Sequence, residues 1–309
     1  MTKLKWSSPK DCLSNYRSGF QGSRCDDEDM ERLLGELPHP VVGVTARDLA
    51  GTGEGKASLP FKSVLNFDVD AYMETQTTGD CVSHATRNAC DLSRAVEIHL
   101  GEPEGWVARG ATEAIYGCRG HGGQGMSCSQ AARFVNSTGG LLLRKEYGDI
   151  DLSEYKSSLG TRWGRRSVGV PDDLVTEAKK HQVVTVSYIT TLEEARDALA
   201  NGYGVTCCSG YGFTSKRDSE GFANQRGGWA HAMAWIAVDD DYKRPGFLVQ
   251  NSWGKWNSGP KRHGQPDGSF WIDFSVAERM IKQRGTWAFS NVDGFPPRKL
   301  PDYGAGDYL

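Results

Sequence analysis

The chain changes its hydrophobic pattern part-way along, and this change constrains the fold more strongly than any other feature of the sequence. From Cys81 to about residue 100, apolar side chains recur with the spacing of an amphipathic helix, and Gly101 ends the pattern. A second helix is predicted from Ser127, a good N-cap residue, and a third after Pro171, which favours the first turn of a helix. The first part of the chain therefore predicts an α-rich lobe.

The second part of the chain has the pattern of a β-sheet. Short apolar and β-branched runs bounded by Gly, Asp and Pro predict strands over 183–189, 205–209, 231–238, 247–250 and 269–274. A capping box from Thr191 to Glu194 predicts one helix among them, which ends at Ala200. Helices followed by strands predict an α+β protein with two lobes, over 71–175 and 176–290, and a cleft between them.

The segments outside these lobes have too few apolar residues for cores of their own. Residues 1–70 contain one dense apolar group, over 33–44, and are predicted to pack against the two-lobed body, in one version over its cleft. An acidic run from Asp26 is expected to open a short helix. Residues 291–309 are rich in proline and are expected to be extended.

Composition excludes two classes of partner. Lys and Arg total 36 against 39 Asp and Glu, so the chain has no basic excess that would attract nucleic acid. No run approaches the roughly 18 apolar residues of a membrane-spanning helix, and no apolar stretch after the first lysines has the character of a signal peptide. We therefore expect no nucleic-acid or membrane partner, and a location in the cytoplasm or in a virus particle.

Cys81 is the first candidate for chemistry. The thiolate is the reactive form of cysteine, and the N-terminus of a helix favours it. Gly79 and Asp80 allow a sharp turn before the predicted helix, which would leave the sulfur exposed. Taken alone, a cysteine at such a place is more often a buried structural residue.

His231 and Asn251 are the partners that a reactive Cys81 needs. The histidine begins an apolar strand 150 positions after Cys81, and the segment Asn251-Ser-Trp-Gly254 follows the next strand. This distance lies within the roughly 130–150 residues that separate nucleophile and base in papain-like enzymes. A lone histidine on an apolar strand is more often a core residue, and the order of all three residues is what favours a site.

With these residues the chain resembles the papain-like cysteine peptidases over about 75–280. The resemblance implies a papain-like α+β fold with a barrel-like antiparallel sheet in the second lobe, a polypeptide substrate and no cofactor. It implies that Cys81 is the nucleophile and His231 the general base. Asn251 would orient the imidazole, and Trp253 would shield the bond between Asn251 and the histidine from water.

The same resemblance implies residues that line the substrate cleft. Gly122 and Gly123, in a glycine-rich segment between two predicted helices, are similar to the family's glycine pair, whose backbone pairs with an extended peptide. Read alone, this segment is a flexible turn. Trp229 and Ala230, directly before His231, are expected to flank the same cleft.

The chain departs from the family pattern beside the nucleophile. The family's glutamine, whose amide stabilises the oxyanion, has its counterpart in Gln76, which lies one residue closer to Cys81 than in the family. Gln76 remains the candidate for this role. Asp80 directly precedes Cys81, and its charge would oppose ionisation of the thiol unless the carboxylate points away into solvent.

The other cysteines do not repeat the family's pairing. Thr78 stands where the family has the disulfide partner of Cys118, so we expect that the first lobe is held by packing and that Cys118 and Cys128 are dispensable for the fold. The adjacent Cys207 and Cys208 are expected in a strand, one facing the core and one facing out.

Three functions fit these residues to different degrees. The first is an endopeptidase that acts through a thioester acyl-enzyme. The second is a structural or binding component of a larger assembly, for example a virus particle, which keeps the scaffold while its activity is weak or lost. The third is a metal site built from Cys118, His121 and Cys128, with His84, but their spacing does not match that of a metal-binding motif, and no metal is predicted.

Overall fold

The first part of the chain is helical, as its periodicity predicts. The computed structural model describes residues 27–101, 104–301 and Tyr303. A two-residue strand, β1 (Ala57–Ser58), lies among the helices α1 (Asp27–Glu36), α2 (Val42–Thr45), α3 (Phe61–Phe67), α4 (Cys81–His99), α5 (Glu113–Gly117), α6 (Cys128–Arg133), α7 (Ser157–Trp163) and α8 (Asp172–Ala178). Short 3-10 turns cover Arg47–Leu49 and Lys179–His181, and Phe134–Thr138 extends α6 as a π-helix.

Three of these helices begin where the sequence predicts. Cys81 is the first residue of α4, and Pro171 immediately precedes α8. The N-cap of α6 is Ser127, whose hydroxyl accepts from the backbone N–H of Gln130 at 3.2 Å. A side-chain cap therefore marks the start of α6 in the local sequence, and a proline directly before the helix marks the start of α8.

An antiparallel sheet follows, with two helices inserted. Its elements are β4 (Thr185–Tyr188), α9 (Leu192–Ala200), β5 (Val205–Arg217), β6 (Ala223–Asp239), β7 (Gly246–Gln250), β8 (Ser269–Asp273), α10 (Phe274–Ile281) and β9 (Thr286–Ser290). Among the described residues the strand order is β4-β9-β5-β6-β7-β8, and β1 pairs with the far end of β6. A small hairpin, β2 (Glu146–Tyr147) and β3 (Ile150–Asp151), lies in the first lobe.

The two-lobed α+β architecture is confirmed, with differences in detail. β9 and α10 lie beyond the predicted strands, and β5 and β6 are longer than their apolar runs because both continue as a partly exposed ribbon. The described strands form an open sheet with β4 and β8 at its two ends, so the barrel-like closure that the resemblance implies is not reached.

Helix α4 lies at the centre of the molecule and packs against β6. Val82 and Ala85 belong to the hydrophobic cluster of the first lobe, whereas Leu92 and Ala95 belong to the cluster of the sheet. All residues of α4 from 81 to 97 are buried, although the sequence pattern predicts a polar face. The polar face meets other polar groups of the first lobe instead of water.

The described part of the N-terminal extension packs on both lobes. Leu33 of α1 and Leu37, directly after this helix, join the first-lobe cluster, and Phe61 joins the cluster of the sheet. Between them, the carbonyl of Pro40 accepts the backbone N–H of Tyr188 at 2.9 Å, which covers the edge strand β4. Residues 1–26, to which a position over the cleft would fall, lie outside the described residues.

A disulfide links the two lobes, contrary to the expectation from sequence. Cys128, at the start of α6, is bonded to Cys208 in β5, 80 positions later. Cys207 and Cys208 are both buried, so the prediction that one of them faces out is wrong. Cys118 remains a free, partly buried thiol. The first lobe is therefore held to the sheet by a covalent bond as well as by packing.

Candidate active site

The sulfur of Cys81 lies at the junction of the two lobes. It accepts a hydrogen bond from the backbone N–H of Ala232, the residue after His231, at 3.4 Å. Because Cys81 opens α4, the positive end of the helix dipole points at its sulfur. The side chain is 0% exposed, so the expectation of an exposed sulfur is wrong for this state of the protein.

His231 and Asn251 form a buried hydrogen-bonded pair. Antiparallel pairing of β6 with β7 sets Ala234 opposite Gln250, so Asn251, the next residue, lies close to the segment of β6 that carries His231. The distance from His231 Nε2 to Asn251 Oδ1 is 2.8 Å. The same oxygen accepts from the backbone N–H of Ser252 at 2.7 Å. Since an amide oxygen only accepts, Nε2 of the histidine carries the hydrogen and Nδ1 is the nitrogen that can take a proton.

Tryptophan rings enclose this pair. The ring of Trp253 lies 4.6 Å from the ring of His231, and that of Trp229 lies 6.0 Å from it. Trp256 packs edge-on against both tryptophans at 5.4–5.5 Å. Burial among these side chains lowers the pKa of His231 to about 4, with a smaller contribution from His84, while the bond to Asn251 opposes the shift. The imidazole is therefore neutral at neutral pH.

Known proteins share this architecture. No family model and no curated protein sequence matches the chain. Among solved structures, xylellain, a cysteine protease from Xylella fastidiosa, matches with a TM-score of 0.50 and 15% identity, over 94% of this chain and 100% of that one. Procathepsin B S9 from Trypanosoma congolense matches with a TM-score of 0.54 and 12% identity, over 94% and 93% of the two chains. The chain has the papain-like fold. At these identities the likeness concerns the fold alone.

Gln76 lies beside the turn that carries Asn251, and its side-chain amide is held by hydrogen bonds. Its Nε2 donates to the carbonyl of Thr78 at 2.8 Å, and its Oε1 accepts from the hydroxyl of Ser252. Its backbone N–H donates to the carbonyl of Ser252 at 2.9 Å. These bonds fasten the loop before Cys81 to the turn that carries Asn251. The role of Gln76 in stabilising an oxyanion stays a prediction.

Gly122 and Gly123 lie in an exposed loop near the turn that precedes Cys81. The carbonyl of Gly123 accepts from Nε of Arg119 at 3.1 Å, and the next residue, Gln124, accepts from the hydroxyl of Thr78 at 2.9 Å and from the backbone N–H of Gly79. Nothing in the sequence singles out Gln124, yet its amide oxygen holds the turn that precedes Cys81. The substrate role of the glycine pair stays a prediction.

Trp229 and Ala230 leave β6 on opposite faces. Trp229 is buried and packs 4.7 Å from Trp253, so it forms a wall around His231. Ala230 is half-buried and packs against the first-lobe cluster. The aromatic set also contains Trp256, whose indole N–H donates to the carbonyl of Gly268 at 2.9 Å and which the sequence reasoning missed.

Asp80 points into the first lobe and not into solvent. Its carboxylate is buried and accepts a hydrogen bond from the hydroxyl of Tyr155 at 2.6 Å. The carboxylate therefore does not point away into solvent, which is the condition under which the sequence predicts no opposition to ionisation of the Cys81 thiol.

The residues of the alternative metal site are not arranged around a common point. The sulfur of Cys128 is used in the disulfide, while Cys118 contacts the carbonyl of Gln130 at 3.9 Å. Within residues 27–101, 104–301 and 303, no group of three His, Cys, Asp or Glu side chains is arranged to hold a metal ion. None of the helices in these ranges is long and apolar enough to cross a membrane.

Proposed function

We propose that this chain is a papain-like cysteine peptidase that cleaves polypeptides through a thioester acyl-enzyme. One observation carries the proposal: the sulfur at the start of α4 contacts the backbone directly after His231, whose imidazole is bonded to Asn251. A nucleophile, a base and an orienting group from three distant segments meet at one point. A buried cysteine of purely structural use needs no such partners.

The roles follow from the hydrogen bonds. Nδ1 of His231 takes the proton of the Cys81 thiol, and the thiolate attacks the carbonyl carbon of the substrate to form a C–S bond. The histidine then gives the proton to the leaving amine as the C–N bond breaks. Water, activated by the same nitrogen, hydrolyses the thioester. Asn251 holds the ring in the required tautomer throughout.

The burial of the site indicates a closed resting state. Cys81 is 0% and His231 1% exposed, so a peptide reaches the sulfur only after the covering groups move. Opening would admit water to His231 and remove the burial that lowers its pKa. The imidazolium that accompanies a thiolate is therefore more stable in the open form than in the closed one.

Labelling and cleavage together test the proposal. The chain is incubated with iodoacetamide, the modified cysteine is identified by mass spectrometry, and hydrolysis of fluorogenic peptides is measured in parallel. We expect label on Cys81 and cleavage that is lost in Cys81→Ala and kept in the matched control Cys118→Ala, which removes another free thiol. No cleavage by a chain that still labels at Cys81 would contradict the peptidase and favour a scaffold within an assembly.

A further inference from the structure

A cluster of charged side chains lies buried behind the first turns of α4. We call it the charge cluster; its members are Glu74, Asp80, His84, Arg87, Glu113 and Arg144. None of these side chains is more than 9% exposed. Charges that are taken out of water are costly unless each one is paired, so the pairing inside the cluster has to be complete.

The two arginines are occupied by carboxylates other than Asp80. Arg144 binds Glu74 at 2.8 and 2.9 Å and Glu113 at 2.7 and 2.9 Å. Arg87 donates to the carbonyl of Ala71 at 2.8 Å and approaches Glu74 at 3.4 Å. Burial would raise the pKa of Glu74, but Arg87, Arg144 and His84 outweigh it and lower the pKa to about 2. Glu74 is therefore ionised.

His84 lies between the two carboxylates at the end of this chain of pairs. Its Nδ1 is 3.6 Å from Oε1 of Glu74, and its Nε2 is 3.6 Å from Oδ2 of Asp80. The remaining neighbours are the ring of Tyr155, edge-on at 5.1 Å, Arg87 on the next turn of α4, and His231 across the lobe junction, whose pKa His84 helps to lower.

The protonation of His84 follows from what faces its two nitrogens. A neutral imidazole has one N–H donor and one acceptor nitrogen, so one nitrogen would face a carboxylate oxygen with its lone pair. An imidazolium has a donor on both sides. Charge does not decide the protonation by itself, because three carboxylates face two guanidinium groups within the cluster and Asp80 also interacts with the buried guanidinium of Arg119.

We propose that His84 is protonated in the resting protein and is a positioning residue for Cys81, because its imidazolium holds the Asp80 carboxylate toward the first lobe and cancels its charge. This inference rests on the proposed role of Cys81 as nucleophile. It explains how a thiolate can form next to an aspartate. Removing the charge of His84 leaves Asp80 with only the hydroxyl of Tyr155 and the interaction with Arg119 to offset its charge, so the thiol ionises less readily.

The test is the pH dependence of alkylation at Cys81. The labelling rate by iodoacetamide is followed across the titration of the thiol in the full chain and in His84→Gln, Asp80→Asn and the double variant. An uncompensated like charge raises a thiol pKa by about one unit, so His84→Gln should label about tenfold more slowly below its midpoint. Asp80→Asn should lower the midpoint, and the double variant should return close to the parent.

Thr86→Val is the matched control, because Thr86 is buried on the same helix and carries no charge. An unchanged midpoint in His84→Gln, or a shift that the double variant does not reverse, would overturn the inference. If His84→Gln does not fold, the nitrogen NMR shifts of the His84 ring are measured in the parent protein. A neutral ring at neutral pH would also overturn the inference. Alkylation needs no peptide cleavage, so a chain with the expected midpoints that cleaves nothing would contradict only the proposed function.

Discussion

The two halves of the candidate site lie in opposite kinds of interior. Behind Cys81, the first lobe buries charged side chains that neutralise one another. Among them, Arg144 makes short hydrogen bonds to Glu74 and Glu113. Around His231, the second lobe buries tryptophan rings, the nearest at 4.6 Å. Both regions exclude water. They differ in what replaces it, fixed charges on one side and apolar surface on the other.

The difference shows how one buried site can favour both an ionised thiol and a neutral imidazole. A thiol ionises when positive charge or dipole lies near it, and the start of α4 supplies the dipole while the proposed imidazolium of His84 cancels the charge of Asp80. A base must be neutral before it takes a proton, and aromatic burial keeps the imidazole of His231 in that form by lowering its pKa to about 4. If the proposed mechanism holds, each lobe prepares its own residue for the transfer of a proton from Cys81 to His231.

The largest expected effect comes from the aromatic side. His231→Ala removes the proton acceptor and should lower kcat/KM for a fluorogenic peptide by at least about 10⁴-fold. Asn251→Ala should cost far less, about 100-fold, because water can take over part of the bond that orients the ring. Asn224→Ala, at an exposed position of β6, is the control and should be neutral. Equal losses in His231→Ala and Asn251→Ala would show that Asn251 does more than orient.

The next effect concerns the covalent link between the two interiors. Cys208 lies opposite Ala232 in the sheet, and Ala232 contacts the sulfur of Cys81, so the disulfide to Cys128 ties both lobes together next to the site. Closing a loop of this length restricts the unfolded chain, and replacing both cysteines by alanine should lower the free energy of unfolding by about 4 kcal/mol. Thermal unfolding of both proteins in the absence of a reductant measures this loss of stability.

Cys118→Ala is the matched variant for the disulfide, and it should change the melting temperature little because the thiol forms no disulfide and its contact with the carbonyl of Gln130 is long, at 3.9 Å. If the melting temperature stays the same when Cys128 and Cys208 are both replaced, the disulfide adds no stability. That result would support the expectation from sequence that the first lobe is held by packing.

The sequence predicts the aromatic side far better than the charged side. Strand alternation and the segment after β7 are local patterns that mark His231, Asn251 and Trp253, and the resemblance to the papain-like peptidases connects them with Cys81. The capping box at Thr191 is another local signal, and its hydroxyl accepts the N–H of Glu194 at 3.2 Å.

The charged side depends on contacts between distant segments. Periodicity shows that α4 has a polar face, but it does not show whether that face meets water or the partners of Arg144, which lie in other parts of the first lobe. The pairing of Cys128 with Cys208 and the contact of Gln124 with the loop before Cys81 are of the same kind. Only the assembled fold brings these groups together.

Acid should weaken the two sides in different pH ranges. The unfolded chain protonates His231 near its ordinary pKa of 6.5, whereas the folded chain does so near 4, so this stabilisation is complete above pH 6.5 and is lost as pH falls toward about 4. Glu74, with a pKa lowered from 4.5 to about 2, adds stability above pH 4.5 that is lost toward about 2. Each shift corresponds to at most about 3 kcal/mol.

Urea unfolding at a series of pH values separates the two contributions. His231→Ala should reduce the dependence of the free energy of unfolding on pH only in the higher pH range, from about 6.5 to 4. Glu74→Gln should reduce it only in the lower range, from about 4.5 to 2. A single slope that both variants change equally would mean that the two interiors titrate as one, and the distinction between them would not hold.

The smallest effect tests whether the tryptophan next to His231 is what keeps it dry. Trp253→Phe keeps an aromatic ring but shortens it, and the indole N–H of Trp253 has no hydrogen bond within the described residues, so the change removes shielding alone. Partial access of water should raise the pKa of His231 by about half a unit, as followed by NMR of its ring protons. Trp235→Phe is the matched control, because Trp235 is also a buried tryptophan and lies in β6 with the histidine, but it stacks on Phe247. If both variants shift the pKa equally, or neither does, the low pKa comes from the burial of β6 as a whole and not from the ring that covers His231.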